Sequence, residues 1–332
     1  MKTKNNVLSH IGQTPLLLLE QLSERSGCQI YAKAEFMNPG GSVKDRTALG
    51  IVRDAEQSGR LRSGGTIVEG SAGNTGIGLA LVGHTLSYPV VVVMPDTQSQ
   101  EKIDTLKANG VELHLVPAQP YSHPDNFIHV SRRLAAELNK SRAEGAIWAN
   151  QFDNLANRRI HAATTGEEIW QQTEGKIDAF ICAVGTGGTL AGVSDCLKRH
   201  NPKVIIALAD PMGAALYHYY KEGELRSEGD SITEGIGQIR ITANLKNALI
   251  DDAFMISDAE AIPYLHQLVK QQGLCLGGSS AINIAGAMRL AKKLGRGKTI
   301  VTILGDHGSR YQQRLYNRAF LEQRQIPVAD WL

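Results

Sequence analysis

DAFICAVGTGGTLAG, from Asp178 to Gly192, decides the fold. An apolar run of strand length runs into three glycines and two threonines, and a helix-compatible stretch follows. Strand, glycine turn and helix make the unit from which parallel sheets are built, because the crossover helix returns the chain and covers the sheet. The alternation extends both ways. IYAKAEF, TIVEGS, PVVVVM and VELHLV occupy the first half, and DAFICAVG, KVIIALAD, AFMIS and KTIVTILG the second. Helical stretches fall at Asn74–Leu86, Gln100–Asn109, Leu155–Gln172 and Ala259–Gln272. Near-continuous Val/Ile strands between helices indicate sheets buried on both faces. The expectation is an α/β protein of two domains, each with a mainly parallel sheet covered by helices.

The length of 332 residues favours two domains, and 20% charged residues with a net charge of +2 offer no electrostatic case for nucleic acid or an acidic membrane surface. No apolar stretch follows the lysines of MKTKNNVLSH and no run of 18 apolar residues occurs, so neither a secretory signal nor a transmembrane helix is expected. Cys28, Cys182, Cys196 and Cys275 form no CxxC pair; Cys182 and Cys275 lie in apolar stretches and read as buried, reduced thiols. A cytoplasmic enzyme without a Cys-based metal site fits this composition. Pro117–Asp125 reads as an exposed loop, and the tail from Arg314 to Leu332 is too apolar to float free.

Three glycine-rich turns lie next to helix starts, where unpaired N–H groups and the positive dipole end invite anions. They are GSAGNTG at 70–76, GTGGT at 185–189 and GGSS at 277–280. GTGGT is the richest in donors: Gly185, Gly187 and Gly188 let backbone wrap a phosphate, and Thr186 and Thr189 add hydroxyls. A rival reading treats this strand, turn and helix as a dinucleotide-binding unit of an NAD-dependent oxidoreductase, with Asp210 on a ribose. Leu190 stands where its third glycine belongs. A P-loop is excluded, since GxxxxGK[ST] is absent. Asn74, Thr75 and Ser279 read either as ligand groups or as plain helix caps.

NPGGSVKDR, from Asn38 to Arg46, sets Lys44 behind a proline and two glycines. A lysine amine can form a Schiff base with pyridoxal 5′-phosphate, a cofactor that also needs a phosphate cradle, a partner for its ring nitrogen and a site for the substrate carboxylate. The chain has a candidate for each. IGQTPL, NPGGSVKDR, SAGNTGIGLA, NQFDN, TTGEEIW, GTGGT, EGIGQIR and GGSSA, in that order, make it resemble the cysteine synthase/cystathionine β-synthase family of pyridoxal-phosphate enzymes (fold type II) over nearly its whole length, nearest to the cysteine synthase (O-acetylserine sulfhydrylase) branch.

The resemblance implies that Lys44 holds the cofactor aldehyde and later moves the α-proton. It implies that Asn74 bonds the ring hydroxyl, that Gly185, Thr186, Gly187, Gly188 and Thr189 hold the phosphate, and that Ser279 faces the pyridine nitrogen. Ser71, Thr75 and Gln151 match positions that grip the substrate carboxylate, and Gly235 matches a loop along the substrate side of the ring. A hydroxyl cannot keep the ring nitrogen protonated as a carboxylate can, which favours β-elimination to an aminoacrylate over a long-lived carbanion. The implied reaction is replacement of the β-substituent of an activated serine, O-acetylserine, by sulfide to give L-cysteine. Its neighbours are replacement by homocysteine and plain elimination.

The resemblance also implies a smaller, mobile domain at 39–149 that closes over substrate, a larger cofactor-anchoring domain at 1–38 and 150–332, and a cofactor in the cleft between them. A homodimer follows from it too; a serine acetyltransferase partner is not readable from the residues. Ala72 stands where relatives commonly have a hydroxyl, and Gly40–Gly41 is closer to the cystathionine synthase branch. In ILGDHGSRY, Asp306 reads either as a neighbour of the ring nitrogen or as an ordinary strand-end residue. His307 reads as a neighbouring polar side chain, and Arg240 as an exposed ion-pairing one or an attractor of anions.

Overall fold

The computed structural model describes residues 6–332. Its strands are β1 (Leu16–Leu18), β2 (Gln29–Ala34), β3 (Thr66–Gly70), β4 (Val90–Pro95), β5 (Glu112–Val116), β6 (Ala146–Trp148), β7 (Ala179–Cys182), β8 (Ile205–Pro211), β9 (Asp252–Ile256) and β10 (Thr299–Leu304). All eight apolar runs named above form strands. The two others, β1 and β6, are three residues long, too short to show a period. The chain divides into two compact units. One comprises the segment ending at Gly12 with Asn38–Ile160; the other comprises Gln13–Met37 with His161–Leu332.

The first unit is built on a sheet of order β5-β4-β3-β6, parallel throughout. Strand alternation sorts its side chains. Ile67, Val90, Val92 and Met94 join the core beneath helices Lys44–Gln57 and Asn74–Thr85, while Val68 and Val91 meet Ala135 of helix Phe127–Ser141 on the other face.

The division differs from the expected boundaries at both ends. Leu8 packs in this unit's core and the Gly12 N–H donates to Asn38 Oδ1 at 2.8 Å, so the N-terminal turn belongs here rather than with the larger unit. At the far end, Thr47 Oγ1 donates to Asn157 Oδ1 at 2.9 Å, and a Cβ on Gly50 would come within 2.7 Å of Ile160. Residues 150–160, Gln151 among them, therefore belong to the unit of Lys44.

The second unit holds a sheet of order β1-β2-β10-β7-β8-β9, parallel except for β1. Ile181, Ala207 and Ala209 face helices Asp258–Gln272 and Gly278–Leu294; Phe180, Ile206 and Leu208 face the side of helix Gly188–His200. The stretch expected as one helix from Leu155 to Gln172 is interrupted by a π-turn at Ala162–Gly166. A Cβ on Gly166 would approach the Cys196 Cβ to 2.5 Å, so this glycine permits the close approach of two helical segments. The C-terminal tail packs on its own unit: Leu315 and Leu321 are buried, and the Tyr316 hydroxyl both donates to Leu276 O and accepts from Leu276 N.

All four cysteines are free; Cys28, Cys182 and Cys196 are buried, whereas Cys275 is only half-buried. Among the described residues, no helix is long and apolar enough to cross a membrane.

Candidate active site

In the first unit, Pro39, Gly40 and Gly41 shape the backbone ahead of the lysine. The Gly41 N–H closes a turn on Asn38 O at 2.8 Å, and Gly41 has φ +79°, where a side chain would be strained. Asp45 reaches back to accept the Gly40 N–H at 2.5 Å, and a Cβ on Gly40 would collide with that carboxylate. The loop is thus cinched against the first turn of its own helix, and Lys44 is the first helical residue. Its backbone is pressed from outside as well. A Cβ on Gly78 would lie 2.9 Å from Lys44 O, so GNTGIG serves close packing of helix Asn74–Thr85 on the lysine-bearing helix.

The loop between β3 and that helix carries Ser71, and the helix opens with Asn74 and Thr75. The helix cap is Gly73, without a side-chain capping bond, so neither Asn74 nor Thr75 caps it. The Thr75 hydroxyl instead donates to Gln151 Oε1 at 2.6 Å, and Ser71, Thr75 and Gln151 are all buried. Beneath them is Glu69, a residue the motif reading passed over. It is fully buried at the end of β3, its Oε2 accepts the Gln151 backbone N–H at 3.2 Å, and burial pushes its carboxyl up to about 8. An acid inside the apolar run TIVEG was the visible signal, since a charge in a strand covered on both faces is costly unless neutralised or held.

In the second unit, β7 feeds GTGGT at its carboxyl end, the edge at which open parallel sheets bind ligands. Gly187 caps helix Gly188–His200 with φ +86°, and a Cβ there would meet the Leu245 Cβ at 2.9 Å. The 13-residue helix has neither a side-chain cap nor an acidic residue in its first turn. The Thr242 hydroxyl donates to Thr186 O at 2.8 Å and steadies the loop. His161, fully buried and also missed from sequence, bonds Thr165 Oγ1 through Nδ1 at 2.8 Å and Thr189 Oγ1 through Nε2 at 3.2 Å. Nothing in RRIHAATT marks a histidine that orients a residue 28 positions away.

Gly235, with φ +74°, sits in the EGIGQ segment, which lies against GTGGT: Gly237 N–H donates to Val184 O at 2.9 Å. Glu234 beside it pairs with Arg314. Ser279 is the second residue of helix Gly278–Leu294, whose cap is Gly277 without a side-chain bond, so Ser279 is not a cap either. Its Oγ lies 2.7 Å from the point where a Cβ on Gly305 would stand.

Asp306 lies two residues beyond β10, with its carboxylate against Gly277 and Oδ2 accepting the Tyr311 hydroxyl at 2.6 Å. His307 caps a short 3-10 turn through a bond from Ser309 N–H, and Arg240 is half-buried. Asp210, the ribose ligand of the dinucleotide reading, is buried with Oδ2 accepting the Tyr217 N–H at 2.8 Å, and Leu190 is buried in the core. Both are taken up by the fold, which counts against that reading.

The residues fit pyridoxal 5′-phosphate. An uncapped helix start with glycines where a Cβ is excluded offers N–H groups to the phosphate. A lysine stands at the head of a locked helix, and a helix-borne hydroxyl capping nothing can face a ring nitrogen. The family model described as "Pyridoxal-phosphate dependent enzyme" matches residues 7–306. The chain is 52% identical to "Cysteine synthase 1" of Neurospora crassa, over 95% of this chain and 84% of that protein. It is 50% identical to "Cysteine synthase 1" of Emericella nidulans, over 96% and 86%. Among solved structures, O-ureido-L-serine synthase is similar, with a TM-score of 0.85 at 33% identity and 96% of each chain covered. A model spanning nine-tenths of the length and relatives at half identity put the chain in the family of pyridoxal-phosphate dependent enzymes.

Proposed function

We propose that the chain is a cysteine synthase: it replaces the acetate of O-acetylserine by sulfide to give L-cysteine. The observation that carries the reading is the placement of Lys44 at the start of a helix packed, through Gly78, on the helix that begins with Asn74 and Thr75. Proton-transfer amine and carboxylate-binding residues thereby share one unit. The names carried by relatives at 50–52% identity support the choice of reaction.

When bound, pyridoxal phosphate supplies a carbonyl that amines join and a ring that draws electrons from the substrate α-carbon. The chain's own residues do the rest. Ser71, Gln151 and the first turn of helix Asn74–Thr85 hold the amino-acid carboxylate, and the Asn74 amide bonds the ring hydroxyl. GTGGT binds the phosphate by N–H groups, with the Thr186 and Thr189 hydroxyls beside them. Ser279 faces the ring nitrogen as a neutral hydroxyl, and Gly235 lies along the substrate side. The Lys44 amine takes the α-proton as acetate leaves, and returns a proton as hydrosulfide adds at the β-carbon.

The smaller unit is the part that moves to exclude water from this chemistry. The enzyme works as a cytoplasmic homodimer on small molecules, which sedimentation and cell fractionation test.

The deciding experiment records the visible spectrum of the purified protein, then adds O-acetylserine, then sulfide. A yellow protein whose spectrum changes with O-acetylserine and returns with sulfide, releasing cysteine and acetate in equal amounts, is the expected result. A spectrum indifferent to O-acetylserine, or a turnover that needs homocysteine, overturns it.

A further inference from the structure

We propose that Glu167, Cys196 and His200 form a binding site for one divalent transition-metal ion of the zinc class, with three protein ligands and an open fourth position.

Cys196 and His200 stand four residues apart in helix Gly188–His200, so they share one face a turn apart. Glu167 opens the helical segment Glu167–Gln172, directly after the π-turn. The missing side chain of Gly166 lets that segment close on Cys196, which brings the Glu167 carboxylate to the thiol. The Cys196 thiol donates to Glu167 Oε1 at 3.2 Å, and His200 Nε2 bonds Glu167 Oε2 at 2.9 Å. One ligand atom from each of the three residues lies within 4.8 Å of the other two. Ligand atoms around a tetrahedral zinc stand roughly 3.3–3.8 Å apart, so parting these by less than about 1 Å makes room for the ion. Sulfur, nitrogen and a single carboxylate suit zinc rather than magnesium or calcium, which take oxygen ligands.

The surroundings favour an ion. The His200 ring is stacked on Trp170, with centroids 4.6 Å apart and planes 6° apart, which holds the plane in which its nitrogen points. Cys196 is buried, whereas the side chains of Glu167 and His200 are 34% and 35% exposed, so an ion can enter from solvent and keep a water as its fourth ligand. On binding, the thiol proton leaves to water and the imidazole carries its proton on Nδ1; thiolate and carboxylate then neutralise the dication. The competing cation is Arg199, whose Nη2 lies 3.8 Å from Glu167 Oε1 on a side chain 67% exposed, free to swing into water.

The expectation of no Cys-based metal site rested on the absence of a CxxC pair. This set uses one cysteine, and its third ligand comes from a segment 29 residues away. The ion would lie at the opposite end of the helix from GTGGT, about 18 Å along its axis, and would clamp two helices together rather than meet substrate.

The test titrates metal-stripped holoenzyme with Co²⁺, without sulfide or added thiol. The expected result is visible cobalt bands of tetrahedral intensity, to the red of the cofactor chromophore, with a sulfur-to-cobalt charge-transfer band in the near ultraviolet. A single equivalent should bind with a Kd of about 1 µM or below, and Zn²⁺ should displace it. Cys196→Ser should remove the charge-transfer band, and His200→Ala and Glu167→Gln should each weaken binding at least about tenfold. Turnover of metal-free His200→Ala should stay within about threefold of the wild type, as for a surface substitution.

Cobalt bands that lack the charge-transfer component, or that survive Cys196→Ser unchanged, overturn the site, as does the absence of cobalt bands at a large excess of the ion. Should Cys196→Ser fail to fold, undiminished cobalt binding by His200→Ala, altered only at the half-exposed end of its helix, is sufficient to reject it.

Discussion

The carbonyl oxygen of Gly235 occupies the place where a Cβ on Gly185 would stand. The GTGGT loop and the EGIGQ segment are therefore fitted to each other through the absence of one methyl group. Gly185→Ala should push Gly235 away, costing about 1–3 kcal/mol as overpacking does. With GTGGT holding the phosphate as proposed, cofactor affinity should fall at least about tenfold, because its N–H groups move with the loop. Equilibrium dialysis of pyridoxal phosphate, beside a denaturation curve, separates the two effects. A Gly185→Ala protein of unchanged cofactor affinity contradicts the prediction.

Lys44→Ala should abolish the yellow absorbance and lower turnover by about 10³-fold or more, as expected when a covalent anchor and a proton carrier are lost together. The secondary structure should persist, since the loop before the helix is cinched by Asp45 and Gly40 rather than by the lysine. Circular dichroism with a turnover assay checks both halves. Retained turnover would move the proton transfer elsewhere.

Glu69 gives stability a sign against pH. Its carboxyl ionises near 4.5 in the unfolded chain and near 8 in the fold, with burial the largest cause. Between those values the native state holds a proton the unfolded state has lost. Stability therefore falls as pH rises through that window and levels off above it, at a slope of at most about 1.4 kcal/mol per pH unit. Glu69→Gln has no such slope, so urea denaturation from acid to alkaline pH should show the variant gaining on the wild type. A constant gap between the two would refute the assignment.

The thiol of Cys196 is pushed up to about 12, first by burial and then by its bond to Glu167. With Cys28 and Cys182 also buried, the native protein should react with an aromatic disulfide reagent at Cys275 alone. The remaining thiols should appear only on unfolding. Mass spectrometry of the labelled peptides checks this, and fast native labelling of Cys196 would contradict it.

The eight longer strands and the glycine turns were legible because apolar runs and glycines report burial and tight backbone directly. β1 and β6 escaped because three residues carry no period. The limits of the two compact units differ from the expected ones for a different reason. Leu8, Asn157 and Ile160 belong to the first unit through contacts with residues far away in sequence, and no local pattern announces them. The site followed the same rule. Lys44, Asn74 and GTGGT lie in ordered motifs, whereas Glu69 and His161 act through neighbours that the fold alone supplies.

In the second unit, β10 is the parallel partner of β2, with Thr299 opposite Gln29 and Leu304 opposite Ala34. The first long strand of this unit must thus wait for its last. Until residues 299–304 are made, β2 has only the three-residue β1 beside it, and its other edge is an open template for mispairing. The first unit has no such delay, as all four of its strands are synthesised by Trp148. Synthesis of this enzyme is therefore staged: the lysine-bearing unit can form while the chain still grows, and the sheet that carries GTGGT closes only once β10 is made, across a separation that makes its nucleation slow.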